Sequence, residues 1–331
     1  MTFIEFREDI CEKVRALLGE GYRVSVKEVP KNNGTLLTGL IIQKTGIDFS
    51  PSIYLEPFFD EYREGRDIQI IAKEIVLLYE NCDVEHTGKN LDMSFFRDFE
   101  GVKSRVAFKL VNFEKNRELL KTIPYIPYLD LAIVFYCRIL SEGIGVGSIL
   151  ITNAHLAAWG ITGDQLYEAA KDNTPRILPC EMKNLKEVIG ELITRNIMGK
   201  HCESSMECCD IPENWRESWT DQIIKTLTPE ALSDKEKSLF VLGNRDRIQG
   251  AAAIIYRGVL QDVADYLDRD IYVLPSSIHE VILMPDNGTF HGSQLSEMVR
   301  EVNETQLSEQ EVLSEHVYLF DRKEGQLKIA G

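Results

Sequence analysis

The chain has 331 residues, 44% hydrophobic and 27% charged, enough to bury a sizeable core in two domains or subdomains. With 37 Lys and Arg against 53 Asp and Glu it carries a net charge of −16, which argues against nucleic acid as a partner because phosphate binding needs a basic face. No apolar run reaches the roughly 18 residues that span a bilayer. The opening MTFIEFREDICEKVRALLGEG reads as an amphipathic helix rather than a signal peptide, and seven irregularly spaced cysteines point to a reducing compartment. The expectation is a soluble, cytoplasmic protein.

From the start, Thr2 and Glu5 form a capping-box pattern ahead of Phe6, Ile10, Val14 and Leu17, and Gly19 with Gly21 stops that helix. Tyr22, Val24 and Val26 alternate with polar residues as a half-buried strand. Pro30 to Gly34 turns the chain, and Leu36 to Gln43 returns it as a hairpin. Ile53 to Leu55 is a short strand, and Pro57 opens a short helix carrying Phe58, Phe59 and Tyr62. Asp67 to Glu80 is a helix with Ile68, Ile71, Ile75 and Leu78 on one face. Residues 1–90 thus read as a small α+β subdomain.

Residues 100–331 read as a larger mixed α/β domain. Ser104 to Val111 alternates as a strand, and Asn112 is placed to cap the helix that follows. Tyr125, Pro127 and Tyr128 read as a rigid aromatic connector. Leu131 to Leu140 is apolar on both faces, the mark of a central strand, with Ser148 to Thr152 as its hairpin partner. Asn153 caps a helix to Trp159, and Thr162 with Gln165 caps another. Ile177 to Leu178 reads as a short strand, and Asn184 caps a helix from Leu185 to Ile193. Residues 198–234 read as an irregular connection.

The clearest local pattern runs from Ser238 to Asp286. Leu239 to Leu242 is an apolar run, Ala251 to Tyr256 reads as a strand covered on both faces, and Val259, Leu260, Val263, Ala264 and Leu267 fall on one helical face. Ile271 to Leu274 and Ile278 to Met284 are strands either side of Pro275, and Pro285 to Gly288 is a turn. A strand, helix and strand of this length permit a parallel crossover. Segments 147–179 and 250–275 share an order of Gly, apolar run, polar turn, helix and a strand ending in Leu-Pro, the pattern of an internal duplication. A helix after Ser293 and a hairpin from His316 to Ile329 end the chain. The fold class expected is α+β, with mixed sheets, β-hairpins and at least one β-α-β-like unit in two subdomains.

Ser277, His279 and Glu280 invite a hydrolase reading, since a serine nucleophile needs a base in hydrogen-bond reach and that base an orienting acid. In a strand, however, Ser277 and His279 share a face and Glu280 points the other way, so the acid would have to come from elsewhere. No G-x-S-x-G elbow is present. Gly143, Gly145 and Gly147 precede a strand rather than a helix, which fits a hairpin turn better than a nucleotide site. His201, Cys202, Cys208 and Cys209 are soft ligands within one segment, but adjacent cysteines without C-x-x-C spacing strain to meet one zinc ion. His155 near a helix start reads as a histidine bonded to backbone, and His86, His291 and His316 lack partners at useful spacing. The acidic groups Glu56, Asp60, Glu61 and Asp262, Asp265 read as solvated helix faces. No cofactor is implied.

GAAAIIYRGVL followed by IYVLPSSIHEVILMPD resembles an uncharacterised family of Gram-positive gut bacterial proteins. SPSIYLEPFFDEYREG, RVAFKLVN and ITNAHLAAWGIT with NTP extend that resemblance over most of the chain. Trp159, Gly160, Ile161, Thr162, Gln165 and Leu166 are also similar to a W-G-[IV]-[ST]-x-x-[EQ]-L helix of another bacterial domain of unknown function. The resemblance implies a shared fold and supplies no catalytic residues. The function expected is therefore non-catalytic: a binding or accessory protein engaging a protein or small molecule through an acidic surface or groove. The aromatics Phe58, Phe59, Tyr62, Trp215 and Trp219 are its candidate interface residues. A hydrolase using Ser277 and His279 is the alternative, and a zinc-binding module the next.

Overall fold

The computed structural model describes residues 1–46, 50, 52–81, 93–141, 145–185, 188 and 239–331. Chain contacts gather into two units, Met1–Gly101 with Arg138–Ile149, and Val102–Cys137 with Leu150–Gly331. The readings made above for 186–187 and 189–238, and for His86 and Gly143, lie outside the described residues.

In the first unit, helix α1 (Phe3–Leu18) starts at the expected capping box, with the Thr2 hydroxyl accepting from the Glu5 amide and the Glu5 carboxylate from the Thr2 amide. Phe6, Ile10 and Val14 are buried, but Leu17 is exposed and Leu18, four residues after Val14, packs on the core instead. Strands β1 (Tyr22–Pro30) and β2 (Leu36–Lys44) pair antiparallel along their full length, and β3 (Ser52–Tyr54) adds to β2. Helices α2 (Glu56–Arg63) and α3 (Ile68–Asn81) complete the layer, with Ile71, Ala72, Ile75 and Tyr79 as the buried stripe of α3. Phe58, Phe59 and Tyr62, expected at an interface, belong to this core. Phe59 lies 5.1 Å from Phe3 and 5.3 Å from Phe6, and Tyr62 lies 5.5 Å from Phe6. Their close sequence spacing looked surface-like because α2 is a short helix that turns nearly all its aromatics inward.

The second sheet is built from β4 (Val106–Asn112), β5 (Tyr125–Tyr128), β6 (Leu131–Ser141) and β7 (Gly145–Leu150), with β6 central as its two-sided apolar pattern requires. The segment expected as an aromatic connector is strand β5, paired with the start of β6. β4 is an edge strand, and an edge carries unpaired main-chain groups that must be covered. Two helices follow β7, α4 (Asn153–Trp159) and α5 (Gly163–Ile177), and α5 supplies that cover. The Phe108 amide donates to the Thr174 hydroxyl at 3.0 Å, the Asn173 side chain donates to the Val106 carbonyl at 3.2 Å, and Arg176 donates to the Ser104 carbonyl at 3.1 Å. Thr174 is fully buried and passes its own proton to the Ala170 carbonyl at 2.6 Å. Three expectations change here. Asn112 accepts from Lys115 in a turn rather than capping a helix, Thr152 and not Asn153 caps α4, and Ile177 ends α5 instead of starting a strand. Pro175 sits in the last turn of α5, two residues before the helix ends.

The third sheet has the order β13-β12-β10-β11-β9-β8, with β8 (Cys180–Asn184), β9 (Phe240–Asn244), β10 (Ile271–Pro275), β11 (Val281–Pro285), β12 (Tyr318–Asp321) and β13 (Gln326–Ile329). Its neighbouring strands all pair antiparallel. Helix α6 (Val259–Leu267) carries the chain from β9 to β10. Because β11 is antiparallel to both, β9 and β10 run in the same direction with β11 between them, so the β-α-β unit is a split one. Residues Gly250–Ile255, expected as a strand, form a 3-10 helix that packs on β9 and β4. Segment 250–275 therefore opens on a 3-10 turn where segment 147–179 opens within strand β7. All ten residues of β10 and β11 are buried. Helix α7 (Gly292–Gln306) covers one face of this sheet with Leu295, Val299 and Val302 against Tyr272, Leu274, Ile282 and Met284. Together these elements make an α+β protein, and among the described residues no helix is long and apolar enough to cross a membrane.

A buried polar link ties the β5–β6 turn to the C-terminal segment. Leu129 takes φ +55° in that two-residue turn, and Asp130 beside it accepts from the Tyr318 phenol at 2.7 Å and the Ser314 hydroxyl at 2.6 Å. Burial, together with the Asp130 carboxylate, pushes the Tyr318 phenol well above its ordinary range. Burial likewise raises the Tyr256 phenol and pushes the Cys137 thiol up to about 11.

Two outcomes follow. Replacing Thr174 with Val strands the Phe108 amide in the interior and should lower unfolding free energy by about 1–3 kcal/mol in urea denaturation, while Thr174→Ser loses less. For Tyr318 the native state holds the proton to higher pH than the unfolded chain does. Its stabilisation is complete below the unfolded phenol pKa of about 10 and is lost as pH rises beyond it. Unfolding free energy measured against pH from about 9 to 11 should therefore fall less steeply in Tyr318→Phe than in the native chain.

Candidate functional site

The β10–β11 hairpin organises both candidate sites, one at each end. At one end the five residues Ser276–Glu280 connect the strands. The sequence places Ser277 and His279 on one strand face, but they lie in this tight connection instead, 4% and 7% exposed. The Ser277 hydroxyl accepts from the His279 amide at 3.0 Å, and the Ser277 amide donates to the Glu280 carbonyl at 3.1 Å. The His279 ring faces the loop after β9, where Nδ1 accepts from the Gln249 amide at 3.2 Å. That bond leaves the ring proton of the neutral form on Nε2. Ile278 donates to the Glu311 carbonyl at 2.9 Å and accepts from Ala251. These bonds link both side chains to main-chain groups and hold the turn in one conformation.

The loop that meets this turn is strained. Asn244 closes it by bonding both main-chain groups of Ile248, donating to its carbonyl at 2.7 Å and accepting from its amide at 3.2 Å. Arg247 and Gln249 take left-handed φ values of +55° and +54°, which L-residues adopt at a cost. Gly250 follows because nothing larger fits. A Cβ there would lie 2.6 Å from the Asn244 amide nitrogen and closer still to the His279 carbonyl oxygen. The chain passes through a two-sided backbone contact and recovers its hydrogen bonds as a 3-10 turn.

At the other end of the hairpin lies an open groove of about 300 Å³. Its acids are Asp265 and Asp268 at the end of α6, Asp270 before β10 and Asp286 after β11, and its bases are Arg269, Arg322 and Lys323. Every lining side chain is ionisable. Carboxylates at a helix C-terminus oppose the helix dipole, and Arg322, reaching from the β12–β13 turn, offsets them. Its Nε lies 2.7 Å from Asp265 and its guanidinium also meets Asp268. The bond from Arg322, with a second from Gln261, holds the Asp265 carboxyl below its ordinary range, and the same bonds to Asp265 and Asp268 raise Arg322. The Arg322 amide donates to Asp270 at 2.9 Å, and Asp286 donates to the Asp270 carbonyl at 2.8 Å. Asp265, read from sequence as solvated helix face, is thus a groove residue. Arg322 and Asp286 sat in turns more than fifty and twenty residues away with no shared motif to connect them.

The other sequence candidates serve the backbone. The His155 ring accepts from the Thr152 amide and stacks on Trp159, His316 contacts the Gly331 carbonyl at 2.9 Å, and Glu56 accepts from the Thr38 amide at 2.6 Å. Gly145 and Gly147 lie in β7. His201, Cys202, Cys208 and Cys209 lie outside the described residues. Among the described residues no group of three His, Cys, Asp or Glu is placed to hold a metal ion.

Removing the His279 ring leaves the half-buried Gln249 amide without that acceptor. His279→Ala is expected to lower unfolding free energy by about 1–3 kcal/mol, and Gly250→Ala by at least as much through the forced backbone shift. Chemical denaturation of the two variants checks both values.

The fold and these sites can be set beside known proteins. Neither the curated proteins nor the solved structures contain a match. A family model matches residues 3–322, and the chain belongs to that family, a family of unknown function (DUF5688).

Proposed function

We propose that the chain is a non-catalytic binding protein whose charged groove takes a small ligand or peptide end carrying both a cationic and an anionic group. The observation that carries this reading is the lining itself: seven ionisable side chains of both signs around an open groove of about 300 Å³. Arg322 is committed to Asp265 and Asp268, so a free phosphate gains little there. Lys323 and Arg269 are the groups for a ligand carboxylate, and Asp270 and Asp286 the groups for an ammonium. Binding a dipolar ligand restores the hydrogen bonds that these groups make to water, and orientation gives specificity. The setting we assign is the bacterial cytosol, in the Gram-positive gut bacteria of the resembling sequences. The net charge of −16 and the odd cysteine number support that setting.

A thermal-shift panel of the free amino acids and their dipeptides tests the proposal on the full chain. At least one member is expected to raise Tm in a dose-dependent way. The shift should vanish in Asp286→Lys and in Lys323→Glu, one in the half-buried turn after β11 and one on the exposed β12–β13 turn, with circular dichroism confirming the native fold of each. A panel without any shift, or a shift unchanged in both variants, overturns the assignment of the groove.

A further inference from the structure

The sheet of the first unit has two unlike faces. One packs Val24, Leu40 and Ile42 into the core with α1 and α3. Alternation puts the other face on the remaining positions, which read Arg-Ser-Lys-Val along β1, Leu-Gly-Ile-Gln along β2 and Ser-Tyr along β3. A Cβ built on Gly39 would meet Val29 at 3.1 Å and Ser52 at 3.5 Å, which confirms that these three positions share that face. It carries no carboxylate, in a chain with 53 of them. Arg23, Ser25, Lys27, Gln43 and Ser52 are exposed, and neither Arg23 nor Lys27 makes an ion pair among the described residues.

We propose that this face is a docking surface for an extended acidic polypeptide segment of another protein. The register sets the cation spacing. Arg23 and Lys27 are four residues apart on one strand, about 13 Å at about 3.3 Å per residue, and Lys31 follows after another four. An extended acidic segment laid along β1 meets Arg23 and Lys27 on the exposed face. Nucleic acid fits less well. The aromatic ring on this face, Tyr54, already carries the Lys31 ammonium 4.2 Å from its centroid, which a stacking base would have to displace from that side. A second copy of the chain brings the same net charge of −16, so self-association works against long-range repulsion.

The experiment is fluorescence anisotropy of fluorescein-labelled octaglutamate, with labelled octauridylate in parallel, titrated with the full chain. Octaglutamate is expected to bind at low salt and to weaken about tenfold between about 50 and 200 mM salt, as screening shortens the reach of exposed charges. The double variant Arg23→Glu with Lys27→Glu should abolish binding, Arg23→Gln with Lys27→Gln should weaken it about tenfold, and Arg23→Lys should keep most of it. Circular dichroism of each variant confirms the native fold, and the glutamine pair keeps the test open if the glutamate pair unfolds. No octaglutamate binding, or binding indifferent to all three variants, overturns the proposal, as does tighter binding of octauridylate. A salt-sensitive dimer in sedimentation velocity that the glutamine pair abolishes also overturns it, because the occupant is then a second copy.

Discussion

The burial of β10 and β11 on both faces is the constraint on which the rest of the second unit depends. Two paired five-residue strands with every residue buried must be covered above and below. Helix α7 closes one face through Leu295, Val299 and Val302. Strands β9 and β12 pair the two flanks, which removes both hairpin edges. Since nothing polar can sit along the hairpin, the chemistry is displaced to its ends. One end holds the Ser277–His279 turn and the other the ring of charges around Arg322.

The two ends solve different problems. At the turn, a buried connection has to satisfy main-chain donors that water cannot reach. Ser277 and His279 take that work, one accepting from the His279 amide and the other from Gln249. The left-handed Arg247 and Gln249 and the crowded Gly250 show that the fit comes at the expense of local strain, which the surrounding burial holds in place. At the groove the charges stay in water. Pairing there does little for stability and instead fixes where charges stand. Arg322 sets the positions of Asp265 and Asp268 through its guanidinium and of the Asp270 carboxylate through its amide.

The same logic explains the edge of β4. A strand that pairs on one side only leaves the Phe108 amide and the Val106 carbonyl open, and Thr174 and Asn173 near the end of α5 meet them, with Arg176 bonding the Ser104 carbonyl just before the strand. The C-terminal segment is fixed by Asp130, which collects hydroxyls from Ser314 and Tyr318 nearly two hundred residues away. In both places a polar side chain in an apolar setting marks a long-range backbone or hydroxyl contact rather than chemistry on a substrate.

The sequence by itself determined the elements whose causes are local. The Thr2–Glu5 and Thr162–Gln165 boxes, the alternation of β1, the two-sided apolar run of β6 and the strand from Ile271 are written within ten or so residues, and each formed as read. It also carried the family, since those strings extend over most of the chain. Tertiary structure alone decided what depends on distant partners. The run Ala251–Tyr256 has a strand's composition, but through Ile255 it lies in a 3-10 helix packed on β9 and β4, with Gly250 at its start pressed against Asn244 and His279. Phe59 and Tyr62 looked like interface residues until Phe3 and Phe6 enclosed them. Asp265 and Arg322, fifty-seven residues apart, become neighbours only when α6 and the β12–β13 turn reach the same end of the sheet. Local pattern reports hydrophobic period and capping, whereas a groove or a basic face is a property of which strands become neighbours, and that is settled by burial of the whole chain.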